Sequence, residues 1–226
     1  MMKKVFYKDS KQSLPVNTIF CIGRNYAAHA AELNNPLPQS PIVFIKPLTT
    51  LIYGGDAIQL PQASRDVHHE VEMVVLIGKP GKHISREAAA GYISGYGIGI
   101  DVTARDIQQR AKEKAHPWTV AKGFDTFAPV SDFVAPDRIA DPHNLEVTLS
   151  INGDIRQAGN TNQMMFRIDM LIAYLSSIFT LSPGDLIFTG TPEGVGPLQH
   201  GDRLHASLGS GIVELKVSVE RAAHTG

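Results

Sequence analysis

The sequence predicts an α+β fold that is mainly β, because strand-like segments outnumber helical ones. Short runs rich in valine and isoleucine recur between glycines and prolines, as is typical of strands bounded by turns. An Asn152–Gly153 dipeptide between two alternating runs predicts a β-hairpin. Helical segments are few and do not alternate regularly with strands, as a doubly wound fold requires. No linker-like composition divides residues 1–226, so we expect one domain with a short N-terminal segment at residues 1–16.

The first half of the chain is predicted to hold three strands and one helix. In order, the predicted elements are a strand at 19–23 (IFCIG), a helix capped by Asn25 with Tyr26, His29, Ala30 and Leu33 on one face, a Pro-rich loop at 34–41, and strands at 42–46 (IVFIK) and 67–78 (VHHEVEMVVLIG).

The second half is predicted to hold the remaining helices and most of the turns. In order, the predicted elements are a helix at 85–93 capped by Ser85, a glycine-rich strand at 94–100, a helix at 102–114, the hairpin at 145–159, a helix at 164–179, a strand at 186–190, a loop at 191–202, and strands near 203–208 and 211–219.

The composition argues against several classes of function. Lys and Arg total 21 and Asp and Glu total 22, so the net charge of −1 gives no reason to expect nucleic acid. No window approaches the roughly 18 apolar residues of a membrane span, and no apolar stretch follows the early lysines as in a signal peptide. A cytoplasmic protein is therefore expected. The single cysteine, Cys21, cannot form an intramolecular disulfide and is predicted to be a buried hydrophobe.

Three acidic residues form the strongest candidate site. Glu70 and Glu72 alternate on one strand, so they point the same way with Cα atoms about 7 Å apart. Asp101 ends the other apolar strand. Burying unpaired carboxylates is costly, so a cation is expected between them. An all-oxygen set favours a hard ion such as Mg²⁺, Mn²⁺ or Ca²⁺ over Zn²⁺.

The alternative is a purely structural role, in which these acids form salt bridges with lysine and arginine, since a Glu-x-Glu pattern on a strand is common. Arg105 and Lys122 are candidates for the positive charge that an anionic substrate would need. His68 and His69 are further possible ligands, but a histidine on this strand is more often a core residue or a support for a ligand.

Two more features suggest chemistry. His29 and Glu32 are three residues apart on the predicted helix, so the carboxylate can orient the imidazole as a base; an exposed helix face is the alternative. The loop GTPEGVG (190–196) offers the Thr191 hydroxyl and glycine N–H groups to an anion. It is not a P-loop, and GYGIG (95–99) lacks the third glycine of a dinucleotide fingerprint.

Six segments, taken together, resemble a known family. They are CIGRNYAAHAAEL (21–33), PIVFIKP (41–47), HHEVEMVVLIGK (68–79), GYGIGIDVTARDIQ (95–108), PWTVAKGFDTFAPVS (117–131) and GDLIFTGTPEGVGPLQHGD (184–202). In this order they resemble the fumarylacetoacetate hydrolase superfamily. The resemblance is strongest to its small single-domain branch of acylpyruvate hydrolases, oxaloacetate decarboxylases or tautomerases, and related isomerases. It implies a single catalytic domain with a mixed β-sandwich or roll, usually a homodimer.

The resemblance also implies roles for individual residues. The metal ligands would be Glu70, Glu72 and Asp101, holding Mg²⁺ with Mn²⁺ as an alternative. Lys122 would lie beside the metal. The residues that would hold a 2-oxo acid substrate are Arg24, Arg105, Gln108 and Thr191. His29 and Glu32 would activate water from a helix that folds over the site as a lid.

Three reactions are consistent with this assignment. The metal would act as a Lewis acid on the carboxylate and 2-oxo oxygens and stabilise an enolate, with Lys122 adding positive charge. Water delivered by His29 would give hydrolysis of an acylpyruvate to pyruvate and a carboxylate. Loss of CO₂ would be oxaloacetate decarboxylation, and proton movement alone would be tautomerisation or isomerisation. The rival hypotheses are a metal-stabilised binding module and a structural protein whose acids are neutralised by lysine and arginine.

Overall fold

The computed structural model describes residues 2–8, 10–32 and 36–222, and within them β-structure dominates, which confirms the predicted fold class. The strands are β1 Lys4–Phe6, β2 Ser13–Pro15, β3 Ile19–Gly23, β4 Ile42–Lys46, β5 Leu51–Tyr53, β6 Ala57–Leu60, β7 Val67–His69, β8 Val71–Ile77, β9 Ile93–Ile100, β10 Thr103–Ala104, β11 Ala128–Val130, β12 Glu146–Ile151, β13 Asp154–Asn160, β14 Leu186–Phe188, β15 Gly196–Pro197, β16 Arg203–Leu208 and β17 Val213–Arg221. The α-helices are α1 Ala27–Glu32, α2 Arg105–Glu113, α3 Thr119–Lys122 and α4 Ile168–Ile178. Turns of 3₁₀-helix occur at Leu48–Thr50, Ala89–Tyr92, Pro136–Arg138 and Thr161–Gln163.

Two mixed sheets make up most of the fold. One has seven strands in the order β4-β3-β14-β8-β9-β11-β5, and the other has five in the order β13-β12-β16-β17-β6. Most neighbours are antiparallel, but the pairs β3–β14, β5–β11 and β6–β17 are parallel. A small three-stranded sheet, β10-β7-β15, and the β1–β2 pair complete the architecture.

The central strand β8 is buried on both faces, which explains its nearly unbroken apolar sequence. Met73 and Val75 belong to the core that includes the inner face of the five-stranded sheet. Val74 and Leu76 point the other way, into a second cluster that also contains residues of β1, β3 and β14. The site described below lies where β8 and β9 leave this core.

The glycine-rich strand β9 has a packing role. A Cβ added to Gly99 would lie 2.7 Å from the Phe188 ring, and one added to Gly97 would lie 3.1 Å from the Phe133 ring. Both glycines therefore allow aromatic rings to lie directly on the strand. This close approach accounts for the GYGIG sequence without any nucleotide.

The predicted hairpin at Asn152–Gly153 is confirmed. Both residues have positive φ, 55° and 95°, as a two-residue type I′ turn requires. The returning strand β13 is largely exposed, but Gln157 on it is fully buried. The buried Gln157 side chain thereby reaches from the five-stranded sheet to His69 and Val71, on either side of Glu70.

The predicted strand at 67–78 is wrong as a single element. It divides at Glu70 into β7 and β8, which belong to different sheets. The ladder breaks because the Val71 N–H donates to the side-chain oxygen of Gln157 at 3.0 Å, while the Glu70 carbonyl accepts the N–H of Asp101 at 2.8 Å. Glu70 and Asp101 are thereby joined through the backbone.

The helix predicted at 85–93 is also wrong. The segment forms turns and the 3₁₀-helix Ala89–Tyr92, and Ser85 Oγ accepts only the Ala88 N–H, at 3.3 Å. Of its residues, Ala89 alone is buried, so no apolar face stabilises an α-helix.

Asn25 does not cap the first helix, which begins at Ala27. Its side-chain amide donates to the carbonyls of Phe166 and Thr189, and its oxygen accepts the Phe166 N–H. These long-range bonds compete with capping. Tyr26, His29 and Ala30 share the buried face as predicted. Leu33 and the first two residues of the predicted loop at 34–41 lie outside the described residues.

The other helices are confirmed with later starts. The segment predicted as helix at 102–114 becomes α2 only from Arg105, because Thr103–Ala104 pair with β7. The segment at 164–179 becomes α4 from Ile168. The strand predicted at 186–190 ends at Phe188, and the predicted loop at 191–202 contains the short strand β15.

Candidate active site

The three acidic residues predicted to form a metal site do come together. One carboxylate oxygen from each of Glu70, Glu72 and Asp101 lies within 4.8 Å of the other two. We call these three residues the carboxylate cluster. Each is at most 5% exposed, and no histidine belongs to the cluster within the described residues. The antiparallel pairing of β8 with β9 brings them together: Glu72 pairs with Gly99, and Glu70 and Asp101 directly flank the two strands, where the Asp101 N–H donates to the Glu70 carbonyl.

Lysine and arginine side chains surround the carboxylate cluster. Lys122 Nζ donates to Glu70 Oε2 at 2.8 Å and to Asp101 Oδ2 at 2.5 Å. The Arg105 guanidinium binds the other oxygen of Glu70 and donates to Gln108 Oε1 at 2.7 Å. The cation that the sequence required between the acids is thus supplied in part by the chain itself.

Lys46 is a third cation beside the cluster, almost fully buried, and the sequence analysis did not identify it. Its Nζ donates to the carbonyls of Val102, Lys122 and Phe127 at 2.6–3.0 Å. It lies 2.8 Å from Asp101 Oδ1, but its three N–H groups are already directed at the carbonyls. Asp101 Oδ1 is consequently buried without a hydrogen-bond donor.

The two glutamates differ in how easily they ionise. Burial opposes the charge of Glu70, but Lys122 and Arg105 outweigh it and hold its pKa well below the usual range. Burial, reinforced by Asp101 and Glu70, raises the pKa of Glu72 well above its usual range. Glu72 has one compensating partner at Oε2, the Gly190 N–H at 2.7 Å. Further positive charge near Glu72 would therefore be stabilising.

The cluster has the composition of a divalent-cation site. Its donors are all carboxylate oxygens, which suit Mg²⁺, Mn²⁺ or Ca²⁺. The unsatisfied Asp101 Oδ1 and the incompletely compensated Glu72 offer lone pairs at positions where the protein provides no full counter-charge. Three carboxylates against Lys46, Lys122 and Arg105 give a formal balance of zero, so a divalent cation would leave net positive charge for an anionic substrate.

His29 and Glu32 form the predicted pair on α1. His29 Nδ1 lies 3.5 Å from Glu32 Oε2, and His29 is 4% exposed, which argues against an exposed helix face at this residue. Burial lowers the pKa of His29 despite the nearby carboxylates, so its imidazole is neutral near pH 7. Glu32 also accepts the Gly194 N–H, at 3.0 and 3.2 Å, which ties α1 to the loop after β14.

Thr191 does not line the cavity described below but belongs to a buried hydrogen-bond network with Gln157. Gln157 Nε2 donates to Thr191 Oγ1 at 2.8 Å, and Gln157 Oε1 is 2.9 Å from His69 Nδ1. The hydroxyl of Thr191 already accepts this bond, so its own proton is free to donate. His69 is therefore a buried support residue and not part of the carboxylate cluster.

Most of the predicted site residues line one narrow cavity of about 20 Å³. Those that the structure brings together there are Arg24, His29, Glu70, Arg105, Gln108 and Lys122. The other predicted site residues do not line the cavity: Glu72, Asp101, Glu32 and Thr191. Asp101 and Glu32 contact the lining residues Lys122 and His29. Glu72 accepts the N–H of Gly190, in the loop after β14. A larger groove of about 980 Å³, next to Arg65 and His200, holds none of the predicted residues.

The cavity also has an outer wall, of which the sequence analysis named Arg24 but not Lys112 or Trp118. The Arg24 guanidinium carbon lies 6.0 Å and Lys112 Nζ lies 5.8 Å from the centre of the Trp118 ring. We call Arg24, Lys112 and Trp118 the cation wall. Its signal in the sequence was the spacing of Arg105, Gln108 and Lys112, which places three polar side chains on one face of α2.

A mixed β fold with a buried, charge-dense cavity at the end of its central strands is that of an enzyme domain. Residues 18–220 match the family model described as fumarylacetoacetate (FAA) hydrolase C-terminal. The chain belongs to the fumarylacetoacetate hydrolase family, whose members include hydrolases, isomerases and decarboxylases, and the resemblance stated above is confirmed.

Individual relatives cover nearly the whole chain. It is 51% identical to the mitochondrial oxaloacetate decarboxylase of Dictyostelium discoideum, over 84% of this chain and 88% of that one. It is 43% identical to the mitochondrial oxaloacetate tautomerase of Arabidopsis thaliana, over 98% and 96%. The crystal structure of fumarylpyruvate hydrolase from Pseudomonas aeruginosa, in complex with Mn²⁺ and pyruvate, is similar with a TM-score of 0.92 at 35% identity, covering 98% and 97%.

The helices of residues 2–8, 10–32 and 36–222 are all too short or too polar to cross a membrane.

Proposed function

We propose that this protein is a divalent-metal-dependent enzyme that cleaves a C–C bond of acylpyruvates by hydrolysis, giving pyruvate and a carboxylate. The observation that carries the proposal is the position of His29. Its neutral imidazole faces the same cavity as Glu70 and Lys122 and is joined to Glu32. A base on one side of a cavity and a charged centre on the other suit attack by water on a polarised carbonyl.

The residues that would hold the metal are Glu70, Glu72 and Asp101, with Mg²⁺ or Mn²⁺ as the expected ion. When bound, the ion would supply Lewis-acid stabilisation of negative charge on the 2-oxo oxygen. The Mn²⁺ in the fumarylpyruvate hydrolase structure supports a divalent ion in this family.

The chain's own residues would then perform positioning and proton transfer. Arg105 and Gln108 would hold the substrate carboxylate, together with Arg24 and the Thr191 hydroxyl. His29 would take a proton from water as the water oxygen attacks the distal carbonyl. Lys122 would stabilise negative charge on the 2-oxo fragment as the C–C bond breaks. The protonated His29 would give its proton to the methylene carbon of the departing 2-oxo fragment, so that pyruvate and a carboxylic acid result, and the acid would then release its proton to solvent as a carboxylate.

Glu32 would assist His29 indirectly. Its carboxylate stabilises the imidazolium and fixes which ring nitrogen carries the proton. Its second interaction, with the Gly194 N–H, would keep α1 against the site. His29 would thus act as the base, and Glu32 would both orient it and hold α1 in place.

A second candidate is oxaloacetate tautomerisation or decarboxylation at the same site. The observation that favours it is the naming of relatives 43% and 51% identical to this chain as oxaloacetate tautomerase and decarboxylase. These reactions need charge stabilisation at the 2-oxo oxygen but no nucleophilic water, so the carboxylate cluster and Lys122 would suffice.

We also expect the protein to be cytoplasmic, on the basis of its composition, and to be a homodimer, on the basis of the family resemblance.

The deciding experiment assays the purified protein on acetylpyruvate, fumarylpyruvate, oxaloacetate and an unsaturated 2-oxo diacid, with Mg²⁺ and separately with Mn²⁺. We expect acylpyruvate hydrolysis at the highest kcat/KM. Oxaloacetate turnover with no acylpyruvate hydrolysis would favour the second candidate. Metal binding without turnover of any substrate would favour a binding module.

A further inference from the structure

We infer that Gln157, on β13, is a positioning residue for the active site: it fixes the direction of the Thr191 hydroxyl, so that this hydroxyl donates its proton to the carboxylate of a 2-oxo acid. The inference rests on the proposed function for the identity of that carboxylate. It assigns a role to a residue of the five-stranded sheet, which contributes none of the other proposed site residues.

The burial of Gln157 is exceptional for its strand. Most side chains of the edge strand β13 are exposed, but Gln157 is 1% exposed. A buried amide is costly unless its oxygen and both N–H groups form hydrogen bonds. Here Oε1 accepts the Val71 N–H at 3.0 Å and lies 2.9 Å from His69 Nδ1, and Nε2 donates to Thr191 Oγ1 at 2.8 Å and to the Pro192 carbonyl at 3.0 Å. The amide is therefore held at both ends.

Two backbone partners determine which way the amide faces. The Val71 N–H can only donate and the Pro192 carbonyl can only accept, so the amide oxygen faces Val71 and the nitrogen faces Pro192. The second N–H then points at Thr191 Oγ1, and a hydroxyl that accepts from an amide directs its own proton elsewhere. In the part of the chain that the structure describes, Thr191 Oγ1 has no other hydrogen-bond partner, so this proton is available to a ligand.

Thr191 lies on a loop that contacts both the carboxylate cluster and α1. The Gly190 N–H donates to Glu72 at 2.7 Å, and the Gly194 N–H donates to Glu32 at 3.0 Å. The cavity of about 20 Å³ has room for about one water molecule, so a 2-oxo acid must also contact residues beyond its present lining. Thr191 directly follows the residue that binds the cluster, and it is therefore well placed to be one of them.

Glycines allow this loop to lie directly on β13. A Cβ on Gly194, which has a φ of 90°, would be 2.3 Å from the Arg156 carbonyl oxygen, and a Cβ on Gly159 would be 2.6 Å from Pro192 Cβ. Both contacts are made close to Gln157 but without its side chain. Substitution of Gln157 should therefore change the hydrogen bonding of the loop more than its position.

Gln157→Glu is the sharpest test because it is nearly isosteric. The carboxylate keeps an acceptor for the Val71 N–H, but it has no proton to give to Thr191. The Thr191 hydroxyl must then donate to that carboxylate, and it presents only lone pairs to a substrate. We expect the Kd for pyruvate, measured by calorimetry with Mg²⁺ present, to rise roughly 10- to 100-fold, the effect of losing a hydrogen bond to a charged group.

A double-mutant cycle shows whether Gln157 acts through this hydroxyl. Thr191→Val removes the hydroxyl and should weaken pyruvate binding by a similar factor, whereas Thr191→Ser should bind nearly as the wild type does. Adding Gln157→Glu to Thr191→Val should weaken binding by no more than about a further twofold, because no hydroxyl remains to be misdirected. Losses that multiply in the double variant would mean that Gln157 acts in another way and would overturn the inference.

Two controls exclude a general disturbance of the site. The Kd for Mg²⁺ alone should change little in Gln157→Glu, because the Val71 N–H beside Glu70 keeps its acceptor. A parallel loss of Mg²⁺ affinity would mean a disturbed cluster and would overturn the inference. Gln12→Glu, at an exposed glutamine, is the matched control and should leave both constants unchanged. If Gln157→Glu does not fold, Gln157→Met takes its place in the cycle, since it removes both donors without adding charge, and the same non-additivity is expected.

The inference and the proposed function can fail separately. Wild-type affinity for pyruvate in Gln157→Glu or in Thr191→Val would overturn the inference even if acylpyruvates are hydrolysed. A wild type that binds no pyruvate with Mg²⁺ present would overturn it too. Non-additive losses of pyruvate affinity, without turnover of any acylpyruvate, would support the role of Gln157 and overturn the proposed function.

Discussion

The cation wall and Glu70 of the carboxylate cluster line the same cavity, but the charges of the cluster and of the wall are balanced in different ways. The cluster is almost fully buried, and Lys46, Lys122 and Arg105 surround it. The wall is half-buried, and its two cations have no acidic partner among the described residues. Glu70 and Asp101 of the cluster form ion pairs with buried or half-buried cations, whereas the two cations of the wall form no ion pair among the described residues. Substitutions in the cluster should therefore alter metal binding and stability. Substitutions of side chains that face the cavity, such as His29, should alter which reactions the protein catalyses.

The largest expected effect is on the cluster as a whole. We expect exhaustive treatment with EDTA to reduce turnover to background, and added Mg²⁺ or Mn²⁺ to restore it, because the candidate ligands are all oxygens. Turnover should be followed on one acylpyruvate and on oxaloacetate. Full activity after chelation would mean that the lysines and the arginine alone stabilise the charge and that the carboxylate cluster holds no functional metal.

The second prediction concerns the His29–Glu32 pair. His29→Ala or Glu32→Gln should slow acylpyruvate hydrolysis by about 10²–10⁴-fold, the usual contribution of a general base. Oxaloacetate decarboxylation should fall far less, since it needs no nucleophilic water. Both rates should be measured on one preparation, with calorimetry to show unchanged metal affinity. Equal losses would mean that the pair closes or orders the site instead of activating water.

The same pair has a pH signature. Burial lowers the pKa of His29, with a further lowering from Arg105 against the opposing effects of Glu70 and Glu32. The base must be neutral, so hydrolysis should fall on the acid side with a midpoint below 6.5, its ordinary value. Removing the Glu32 charge should move that midpoint lower still. A midpoint above 6.5 would contradict the assignment of His29.

A smaller effect is expected at Lys46, which supports the cluster without lining the cavity. Lys46→Met should lower the free energy of unfolding by about 3–5 kcal/mol, because it leaves three carbonyls and Asp101 without their buried partner. Urea denaturation measures this. Arg86→Gln, which breaks an exposed pair with Asp169, is the control and should cost at most about 1 kcal/mol. Similar costs for both variants would contradict the contrast between buried and exposed charge.

The smallest expected effect is at Glu72. In the wild type, Mg²⁺ at about 100 times Kd should add about 2.7 kcal/mol, or roughly 5–10 °C in Tm. Glu72→Gln should abolish this shift. Without metal, its Tm should equal or exceed that of the wild type, because burial beside Asp101 and Glu70 opposes the charge of Glu72. Glu113→Gln, on the exposed end of α2, serves as control. An unchanged metal shift in Glu72→Gln would remove Glu72 from the ligand set.

Much of the fold and site could be predicted because the relevant patterns are local. Alternation places Glu70 and Glu72 on one face, helical spacing places His29 next to Glu32, and an Asn-Gly pair specifies its own turn. The helix at 85–93 was wrong because helix-forming residues without a buried face do not make a stable helix.

The amino-acid pattern was enough to predict the mainly β fold class, the three acids of the cluster and the likeness to one enzyme family. The tertiary structure was needed to show that Lys46 lies against Asp101, that Gln157 breaks the strand at Glu70, and that Arg24 and Lys112 both contact Trp118. The partners in these contacts are 55 residues apart for Lys46 and Asp101 and 86 apart for Gln157 and Val71. Local periodicity carries no information about which distant side chains share a cavity, because that choice depends on how the sheets pack.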